Sequence, residues 1–457
     1  MVPTAVINVV GLTGSMIGAD TPNLLALARE GASAPIDAVV PAVTCTAQSS
    51  FLTGTMPSGH GIVGNGWYFR DEAEVRFWRQ SNRLVQGEKV WETGRRRDPE
   101  FTCAQMFWWY NMYSTVDWSV TPRPMYPADG RKVVDIYSEP AALGTRLKNH
   151  LGDFPFFNFW GPKADIRSSQ WIAEAGAEVS RNEKPTLNLI YLPHLDYNLQ
   201  RLGPSHPDIR PDIRAVDQVA GQLIDALRGQ GTRIIVLSEY GITDVTGPVH
   251  INRALREAGH VRVRAELGLE MLDAGASTAF AVADHQVAHV YVRNAGTIPA
   301  VRTLVESIPG VERVLDRTEQ AGIGLDHERS GDLVAISAAD RWFTYYYWLD
   351  DVLAPDFART VDIHRKPGYD PVELFVDPAI RVPALKVGWT LAKKKMGFRY
   401  LMSVIPLDAS LVRGSHGRIT DRDEDGPVLI TSEADLLHSE RVHATAVRDL
   451  VLDHVFS

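Results

Sequence analysis

Cysteine is scarce in this sequence, and long apolar runs are absent from it. Among 457 residues only Cys45 and Cys103 are cysteines, which excludes a framework of disulfides and fits a reducing compartment. No segment approaches the roughly 18 consecutive apolar residues of a membrane span. The N-terminal run MVPTAVINVVGLTG has no basic region ahead of a long apolar region, so it is typical of a strand and not of a signal peptide. We therefore expect a cytoplasmic protein with no membrane partner.

Positive charge is also in short supply. The formal net charge is -9, and the densest basic clusters, GRRRDPE and LAKKKMGF, are short and flanked by acidic or apolar residues. Such clusters are typical of solvated surface, and the acidic balance argues against a nucleic acid polymer as partner. The expected partner is a small molecule, and the sequence leaves a homodimer open.

What is present is an alternation of apolar runs and helical segments. TAVINVVGL is a buried-strand pattern, and TPNLLALAREGA is a helix with Thr21 at its N-cap and Pro22 as its first residue. TLNLIYL and TRIIVL are further strands of the same kind. This order predicts an α/β fold with a mostly parallel central sheet sandwiched by helices. We predict a core domain from residues 1–255 and 401–457, and a smaller α+β insertion at residues 256–400.

Polar residues follow several of these predicted strands. Thr44, Asp196 and Glu239 each come just past a strand end, and ligands of open α/β sheets bind beyond the carboxyl ends of the strands. Thr44 also precedes a helix-compatible run, where free backbone N–H groups favour a phosphate or sulfate. From this stretch alone, the threonine is either a plain N-cap or a nucleophile held over an anion site.

The longer run PAVTCTAQSSFLTGTMPSGHGIVGNGW resembles the nucleophile segment of the nucleotide pyrophosphatase/phosphodiesterase branch of the alkaline phosphatase superfamily. Thr44 lies nine residues before Thr53-Gly54, and PSGHGIVGN follows. YLPHLDYNLQ, VLSEYGI and GSHG resemble the three metal-binding segments that come later in that family. The resemblance implies an alkaline phosphatase-like fold with Thr44 as the nucleophile. The arginine of the related sulfatases is replaced by Gln48, so sulfatase chemistry is not expected.

The family's metal positions are largely replaced in this chain. The first metal Asp of the family falls on Val10, one metal His falls on Gln200, and the paired Asp-His is Glu239-Tyr240. Zinc favours His and Cys ligands with a few carboxylates, so a two-zinc centre is not expected. An oxygen-rich remnant could hold one divalent ion, Zn²⁺, Mg²⁺ or Mn²⁺. The residues that we assign to this ion are Asp196, Gln200 and His416.

The leading hypothesis is a hydrolase that acts on a phosphate monoester or diester of a small organic anion, with Thr44 as nucleophile. One alternative is a repurposed transferase or isomerase, with Glu239 as general base and Tyr240 as acid. Another is a small-ligand binding protein without catalysis. The residues assigned to catalysis are Thr44, Glu239 and Tyr240, and those assigned to substrate binding are Cys45, Asn65, Arg123 and Lys132.

Four further histidines and a tryptophan-rich stretch are also candidates for a functional or a structural role. His285 and His289 are four residues apart in a predicted strand of the insertion, and we interpret them as structural histidines. His194 and His250 follow strand ends and could replace missing metal ligands. Tryptophan is concentrated between positions 67 and 171, which is typical of a pocket lining and equally of core packing.

Overall fold

A nine-stranded sheet forms the centre of the molecule, whose computed structural model describes residues 1–457. The strands of the whole chain are β1 (Thr4–Val9), β2 (Ala32–Asp37), β3 (Gly66–Phe69), β4 (Glu74–Phe77), β5 (Cys103–Met106), β6 (Trp118–Pro122), β7 (Ile136–Glu139), β8 (Leu187–Leu192), β9 (Arg233–Leu237), β10 (Thr243–Asp244), β11 (Gly247–Val249), β12 (Val263–Glu266), β13 (Leu269–Leu272), β14 (Ala279–Asp284), β15 (Val287–Val292), β16 (Val311–Leu315), β17 (Leu333–Ser337), β18 (Arg341–Phe343), β19 (Gly414–Ser415), β20 (Val428–Thr431) and β21 (Val442–His443).

Helices connect most of these strands and cover the sheet. They are α1 (Pro22–Glu30), α2 (Thr44–Thr53), α3 (Pro57–His60), α4 (Val90–Arg97), α5 (Ala141–Leu151), α6 (Ile166–Glu183), α7 (His194–Leu202), α8 (Arg210–Arg228), α9 (Ile251–Glu257), α10 (Ile298–Glu306), α11 (Arg317–Gly322), α12 (Pro383–Lys395) and α13 (Val447–Phe456). None of these helices is long and apolar enough to cross a membrane.

The order of strands in the large sheet is β21-β2-β20-β9-β1-β8-β5-β6-β7. The run β9-β1-β8-β5-β6 is parallel throughout, while β20 and β7 run against their neighbours. β1 and β8 are buried at every residue, as continuous apolar strands covered on both faces should be. The predicted α/β class with a mostly parallel sheet between helices is confirmed.

Two helix layers produce that burial. Helices α1, α5, α6 and α8 pack against one another and the sheet, and α2, α4 and α13 form a second contacting group. The predicted helix with Thr21 at its N-cap begins at Pro22 and ends before Gly31, as its sequence indicates. Val6, Ile190 and Ile235 lie in the large apolar cluster between the layers.

A second, four-stranded antiparallel sheet lies in the later part of the chain, in the order β14-β15-β17-β16. It has its own apolar cluster, which contains Ala281, Val290 and Trp342. β19 and β20 then lead the chain back to the large sheet. The tight turn between β14 and β15 reaches the carboxyl ends of the large sheet's parallel strands, because the backbone N–H of Gln286 donates to the carbonyl of His416 over 2.8 Å.

Candidate active site

Thr44 is the first residue of α2, and its hydroxyl does not cap that helix. The N-cap position is Val43, and no side chain caps the helix start. Instead the Thr44 hydroxyl lies 3.1 Å from the phenol oxygen of Tyr240. The whole of α2 is buried, so packing of the helix holds Thr44 in place at its start. Of the two interpretations drawn from the sequence, the plain N-cap is therefore wrong.

A chain of hydrogen bonds runs from Thr44 to a buried carboxylate. The Tyr240 hydroxyl donates to Asp196 Oδ1 over 3.1 Å, while the Gln200 amide donates to Asp196 Oδ2 over 2.7 Å. Burial raises the pKa of Asp196 to about 7, although both hydrogen bonds favour the ionised form. Asp196 can therefore take up or release a proton near neutral pH.

Glu239 lies behind Thr44 and is held by neutral amides. Its Oε1 accepts from Asn8 Nδ2 at 2.5 Å and from Gln48 Nε2 at 2.6 Å. The Gln48 carbonyl in turn accepts from the backbone N–H of Trp109 over 2.8 Å. Burial raises the pKa of Glu239 to about 7. Gln48, which replaces the sulfatase arginine, thus donates a hydrogen bond to the Glu239 carboxylate without adding positive charge.

Two histidines stack beside Asp196 and Tyr240, and one of them was not assigned to the site from the sequence. The ring of His416 lies 3.5 Å from that of Tyr240, and the ring of His285 lies 3.7 Å from that of His416. His285 reaches the site from the β14–β15 turn with a φ of 59°, a left-handed conformation that is uncommon for residues other than glycine. The interpretation of His285 as a purely structural strand residue is not supported by this position.

Both histidines keep one ring nitrogen free. Nδ1 of His285 lies 2.8 Å from Asp284 Oδ1, and Nδ1 of His416 donates to the carbonyl of Ala42 over 2.8 Å. The Nε2 atoms of both residues are buried without a hydrogen-bond partner. Desolvation lowers the pKa of both imidazoles, so both are neutral at physiological pH.

These residues do not fit the two-zinc centre that the family implies. Val10 is apolar, and the phenol of Tyr240 is engaged with Thr44 and Asp196. Gln200 points its amide nitrogen, which has no free lone pair, at Asp196. His416 Nε2 lies 3.8 Å from Asp196 Oδ1, yet no group of three His, Cys, Asp or Glu side chains converges to hold an ion. Catalytic zinc takes three protein ligands, so this donor set is too small.

We expect the purified protein to retain no more than one divalent ion per chain, because Val10 offers no donor atom and Gln200 directs its amide N–H at Asp196. Elemental analysis after dialysis, with protein concentration determined from amino-acid hydrolysis, measures the stoichiometry. A matched sample of the Asp196→Asn variant controls for adventitious surface metal. Two zinc ions per chain in the wild type, both absent from the variant, would contradict this interpretation of the donor set.

An aromatic cleft opens above Thr44, Asp196 and Tyr240, with an empty volume of about 1010 Å³ that includes open solvent. Its lining is mostly aromatic, with one lysine at the opening, and includes Trp78, Trp109, Tyr126, Lys132, Phe156, Phe159, Trp160, Tyr191, Tyr197, His285, His364 and Tyr369. Three of the tryptophans in the Trp-rich stretch of the sequence therefore line a pocket. Lys132 is the one lysine of the lining, which also contains the carboxylates of Asp196 and Asp362.

The other residues assigned to substrate binding do not line this cleft. Cys45 is fully buried in an apolar cluster, and burial raises the pKa of its thiol. Asn65 accepts from the backbone N–H of Cys45 over 3.0 Å and donates to Asp284 over 3.1 Å. Asn65 thus joins the start of α2 to the Asp284–His285 pair, while Arg123 is exposed outside the lining.

Three further histidines lie away from the site. His194 Nε2 is 3.0 Å from Asp212, and His250 Nδ1 is 2.7 Å from the Thr344 hydroxyl, so neither replaces a missing metal ligand. His289 Nε2 lies 2.8 Å from the carbonyl of Val63, which agrees with its interpretation as a structural histidine.

A buried ion cluster fixes one wall of the cleft. Lys366 Nζ lies 2.7 Å from both Asp370 Oδ2 and Glu373 Oε1, and all three residues are buried. Glu373 Oε2 also accepts from the indole N–H of Trp160 over 2.6 Å. Burial lowers the pKa of Lys366 and the two carboxylates raise it, with a net upward shift. The cluster therefore anchors Trp160 and the turn that carries Tyr369.

We expect Lys366→Met to destabilise the protein by about 3–5 kcal/mol, because it leaves two buried carboxylates without their counter-ion. Denaturant unfolding at neutral pH measures the change. The neighbouring Arg365→Met variant is the control: Arg365 is exposed and its ion pair with Asp362 spans 3.4 Å, so a loss below about 1 kcal/mol is expected. Equal losses for both variants would show that burial of the lysine is not what stabilises this turn.

A mostly parallel sheet, with a threonine at a helix start beyond its strand ends, defines an alkaline phosphatase-like α/β protein. The type I phosphodiesterase/nucleotide pyrophosphatase family matches residues 4–370, and the chain belongs to this family. The family resemblance drawn from the sequence is therefore confirmed.

Two curated relatives match the chain over about half its length. A pyrophosphatase/phosphodiesterase of Schizosaccharomyces pombe is 26% identical over 227 residues, which cover 49% of this chain and 41% of that protein. The rat ectonucleotide pyrophosphatase/phosphodiesterase family member 1 is 23% identical over 235 residues, which cover 49% of this chain and 22% of that protein. The match thus spans less than half the length of each relative.

Solved structures agree with the fold over nearly the whole chain. Phosphonoacetate hydrolase of Sinorhizobium meliloti, in complex with phosphonoformate, superposes with a TM-score of 0.63 at 14% identity, over 99% of this chain and 96% of that one. Murine ectonucleotide pyrophosphatase/phosphodiesterase 5, an inactive variant in complex with AMP, gives a TM-score of 0.59 at 14% identity, over 100% of this chain and 95% of that one. These likenesses establish the alkaline phosphatase-like fold.

Proposed function

We propose that the protein hydrolyses a phosphate monoester or diester of a small organic anion, with Thr44 as the nucleophile. The observation that carries the proposal is the hydrogen-bonded chain Thr44–Tyr240–Asp196 at the floor of the aromatic cleft. A threonine hydroxyl is a weak nucleophile unless a base or a metal ion activates it. A carboxylate with its pKa raised to about 7 is suited to that task.

In the first step Thr44 Oγ1 attacks phosphorus in line with the ester oxygen that leaves. The threonine proton passes to the Tyr240 oxygen while Tyr240 passes its own proton to Asp196. Burial and nearby carboxylates raise the pKa of Tyr240 well above its usual value, so the phenol is protonated before the reaction. It therefore relays the proton and is not itself a phenolate base. The ester P–O bond breaks, and the leaving oxygen takes a proton from solvent.

In the second step water attacks the phosphothreonine from the side opposite Thr44 Oγ1 and releases one of its protons to solvent, which balances the proton that the leaving group took up in the first step. The bond between phosphorus and Thr44 Oγ1 breaks, and the threonine oxygen recovers its proton from Asp196 through Tyr240. The start of α2 stabilises the negative charge of the phosphoryl oxygens, because its dipole is positive at that end. No step is assigned to a metal ion, since the donor set does not fit the family's zinc centre.

The cleft and the relatives support a small phosphorylated anion as substrate. Aromatic walls bind an apolar or planar organic group, and Lys132, which lines the cleft together with Asp362, can pair with a phosphoryl oxygen. The two structural neighbours hold phosphonoformate and AMP, which are both small organic molecules with a phosphoryl group. The murine neighbour's inactive form carries an alanine in place of a threonine, in line with a threonine nucleophile.

The test is hydrolysis of p-nitrophenyl phosphate and bis-p-nitrophenyl phosphate by the full chain. Release of nitrophenol from either ester, dependent on Thr44, supports the proposal. Turnover of neither ester, together with tight retention of a small ligand, favours a binding protein. The isomerase or transferase alternative requires Glu239 to contact the substrate as a general base. Glu239 does not line the cleft, and its Oε1 accepts hydrogen bonds from Asn8 and Gln48, which disfavours this alternative.

A further inference from the structure

A row of apolar side chains on α12 and the stretch after it faces solvent. Leu385 is 71% exposed, Trp389 58%, Met396 56% and Phe398 62%. Single exposed apolar residues are ordinary, but a contiguous group of large ones marks an interaction surface. The segment from Arg381 to Leu401, here called the α12 face, is the densest such group in the chain.

The apolar row lies on the side of α12 that points away from the protein. Leu385, Trp389 and Met396 fall within about one ninth of a turn of one another at 100° per residue. Val387, which packs on the second apolar cluster, and Thr390, which is buried, fall on the opposite side. The helix therefore has two apolar sides, one that packs on the protein and one that faces solvent.

The α12 face is also strongly basic, in contrast to the whole chain. No acidic residue occurs between Asp377 and Asp408, while six basic residues do: Arg381, Lys386, Lys393, Lys394, Lys395 and Arg399. The four lysines are exposed. Lys393 Nζ lies 5.6 Å from the ring of Trp389, so this charge lies beside the apolar row, and Lys394 Nζ lies 5.1 Å from the ring of Tyr400. The rest of this acidic protein must carry the compensating negative charge.

We propose that the α12 face binds the surface of a membrane that contains anionic lipid. The helix lies in the plane of the interface, with Leu385, Trp389 and Met396 among the headgroups and acyl boundary. Amphipathic helices with Trp and Leu on one side and lysines at its edges bind in this way. Each lysine near an anionic surface adds to the attraction, and its long side chain lets the charge stay at headgroup level.

Charge decides between this partner and a second copy of the chain. In a two-fold dimer the same patch meets itself, so two α12 faces would bring twelve positive charges together. A nucleic acid would neutralise the lysines but would leave the row of Leu385, Trp389 and Met396 in water. An anionic membrane satisfies both the charge and the apolar row. The expectation of no membrane partner rested on the lack of a long apolar run, which bears only on spanning segments.

The experiment is flotation of the full chain with vesicles of phosphatidylcholine alone and of phosphatidylcholine mixed with phosphatidylserine. Binding to the mixed vesicles should exceed binding to the neutral ones by at least about tenfold and should fall in high salt. The pair Lys393→Glu and Lys394→Glu, and the pair Leu385→Ser and Trp389→Ser, should each reduce binding by at least about tenfold. Val352→Ser, at a residue 79% exposed outside the α12 face, is the matched control and should bind as the wild type does.

Three results would overturn the proposal. One is equal binding to both kinds of vesicle or to neither. Another is concentration-dependent dimerisation in light scattering that the Leu385→Ser, Trp389→Ser pair removes, which would assign the face to a second copy. The third is retention on a polyanion such as heparin that survives the same pair while vesicle binding is absent. All five substituted side chains are exposed, so each variant is expected to fold, and thermal melting checks this.

Discussion

Thr44→Val should remove ester hydrolysis and leave the protein folded. Valine has nearly the shape of threonine, so α2 keeps its packing, and the loss of one hydrogen bond to Tyr240 costs only about 1 kcal/mol. Valine, however, has no hydroxyl that could attack phosphorus, so we expect kcat to fall by at least about a thousandfold. Initial rates with p-nitrophenyl phosphate and its bis-ester, together with thermal melting, measure both effects.

Thr46→Val is the matched control for this change. Thr46 lies two residues further along the same helix, is equally buried, and its hydroxyl has no hydrogen-bond partner. Its loss should leave kcat within about twofold of the wild type, because the group touches nothing that reacts.

Acid quenching during turnover should also trap phosphate on Thr44 in the wild type, which peptide mass spectrometry detects. Comparable rates for Thr44→Val and the wild type would remove the nucleophile from the mechanism.

The sequence predicted the part of the site that local patterns encode. Thr44, Asp196 and Tyr240 each follow a strand or open a helix at the carboxyl edge of the large sheet, and such positions meet in space whatever the details of packing. Strand burial and the start of α1 were likewise visible as apolar runs and a Thr-Pro pair. Those features depend on residues a few places apart.

His285 could not be placed from the sequence, because its position depends on contacts across the whole chain. The β14–β15 turn carries it to Tyr369 on one side and His416 on the other, with ring distances of 3.6 and 3.7 Å. The sequence signal was the run ADHQVAH, which is equally typical of a strand. A bulky residue at positive φ in a tight turn becomes visible only in the three-dimensional structure.

Packing also explains why three substrate-binding assignments did not reach the cleft. Cys45 and Asn65 lie next to Thr44 along the chain or in space, but a helix turns neighbouring side chains to different sides. Cys45 consequently faces an apolar cluster while Thr44 faces the cleft. Arg123 and Lys132 belong to one predicted loop, and only the second lines the cleft. Proximity in the sequence predicted which residues lie near Thr44, and the direction of each side chain decided whether it lines the cleft.

Asp196→Asn should nearly abolish hydrolysis, because asparagine cannot accept the proton that the threonine loses. Removal of a general base typically costs about 10²–10⁴-fold in rate. In the wild type the base must be ionised, so kcat/KM should rise with pH and level off above the pKa of about 7 of the free protein. The variant's residual rate should lack this rise.

The same substitution should stabilise the protein at high pH. Because burial raises the pKa of Asp196 above its usual 3.8, the native state binds its proton more tightly than the unfolded state does. The stability that this proton provides is complete at acidic pH and is lost as the pH rises through about 7. A neutral asparagine side chain has no such loss, so the variant should exceed the wild type by up to about 4 kcal/mol at pH well above 7 and match it near pH 4.

Tyr240→Phe separates the relay from a direct role of the carboxylate. Phenylalanine keeps the stacking on His416 at 3.5 Å but breaks the path from Thr44 to Asp196. If protons pass through the phenol, this variant should lose activity as Asp196→Asn does, without the gain in stability at high pH. Asp212→Asn, a partly buried carboxylate outside the cleft, is the control and should keep the wild-type rate. Full activity in Tyr240→Phe, with the wild-type pH profile, would mean that the nucleophile loses its proton by another route.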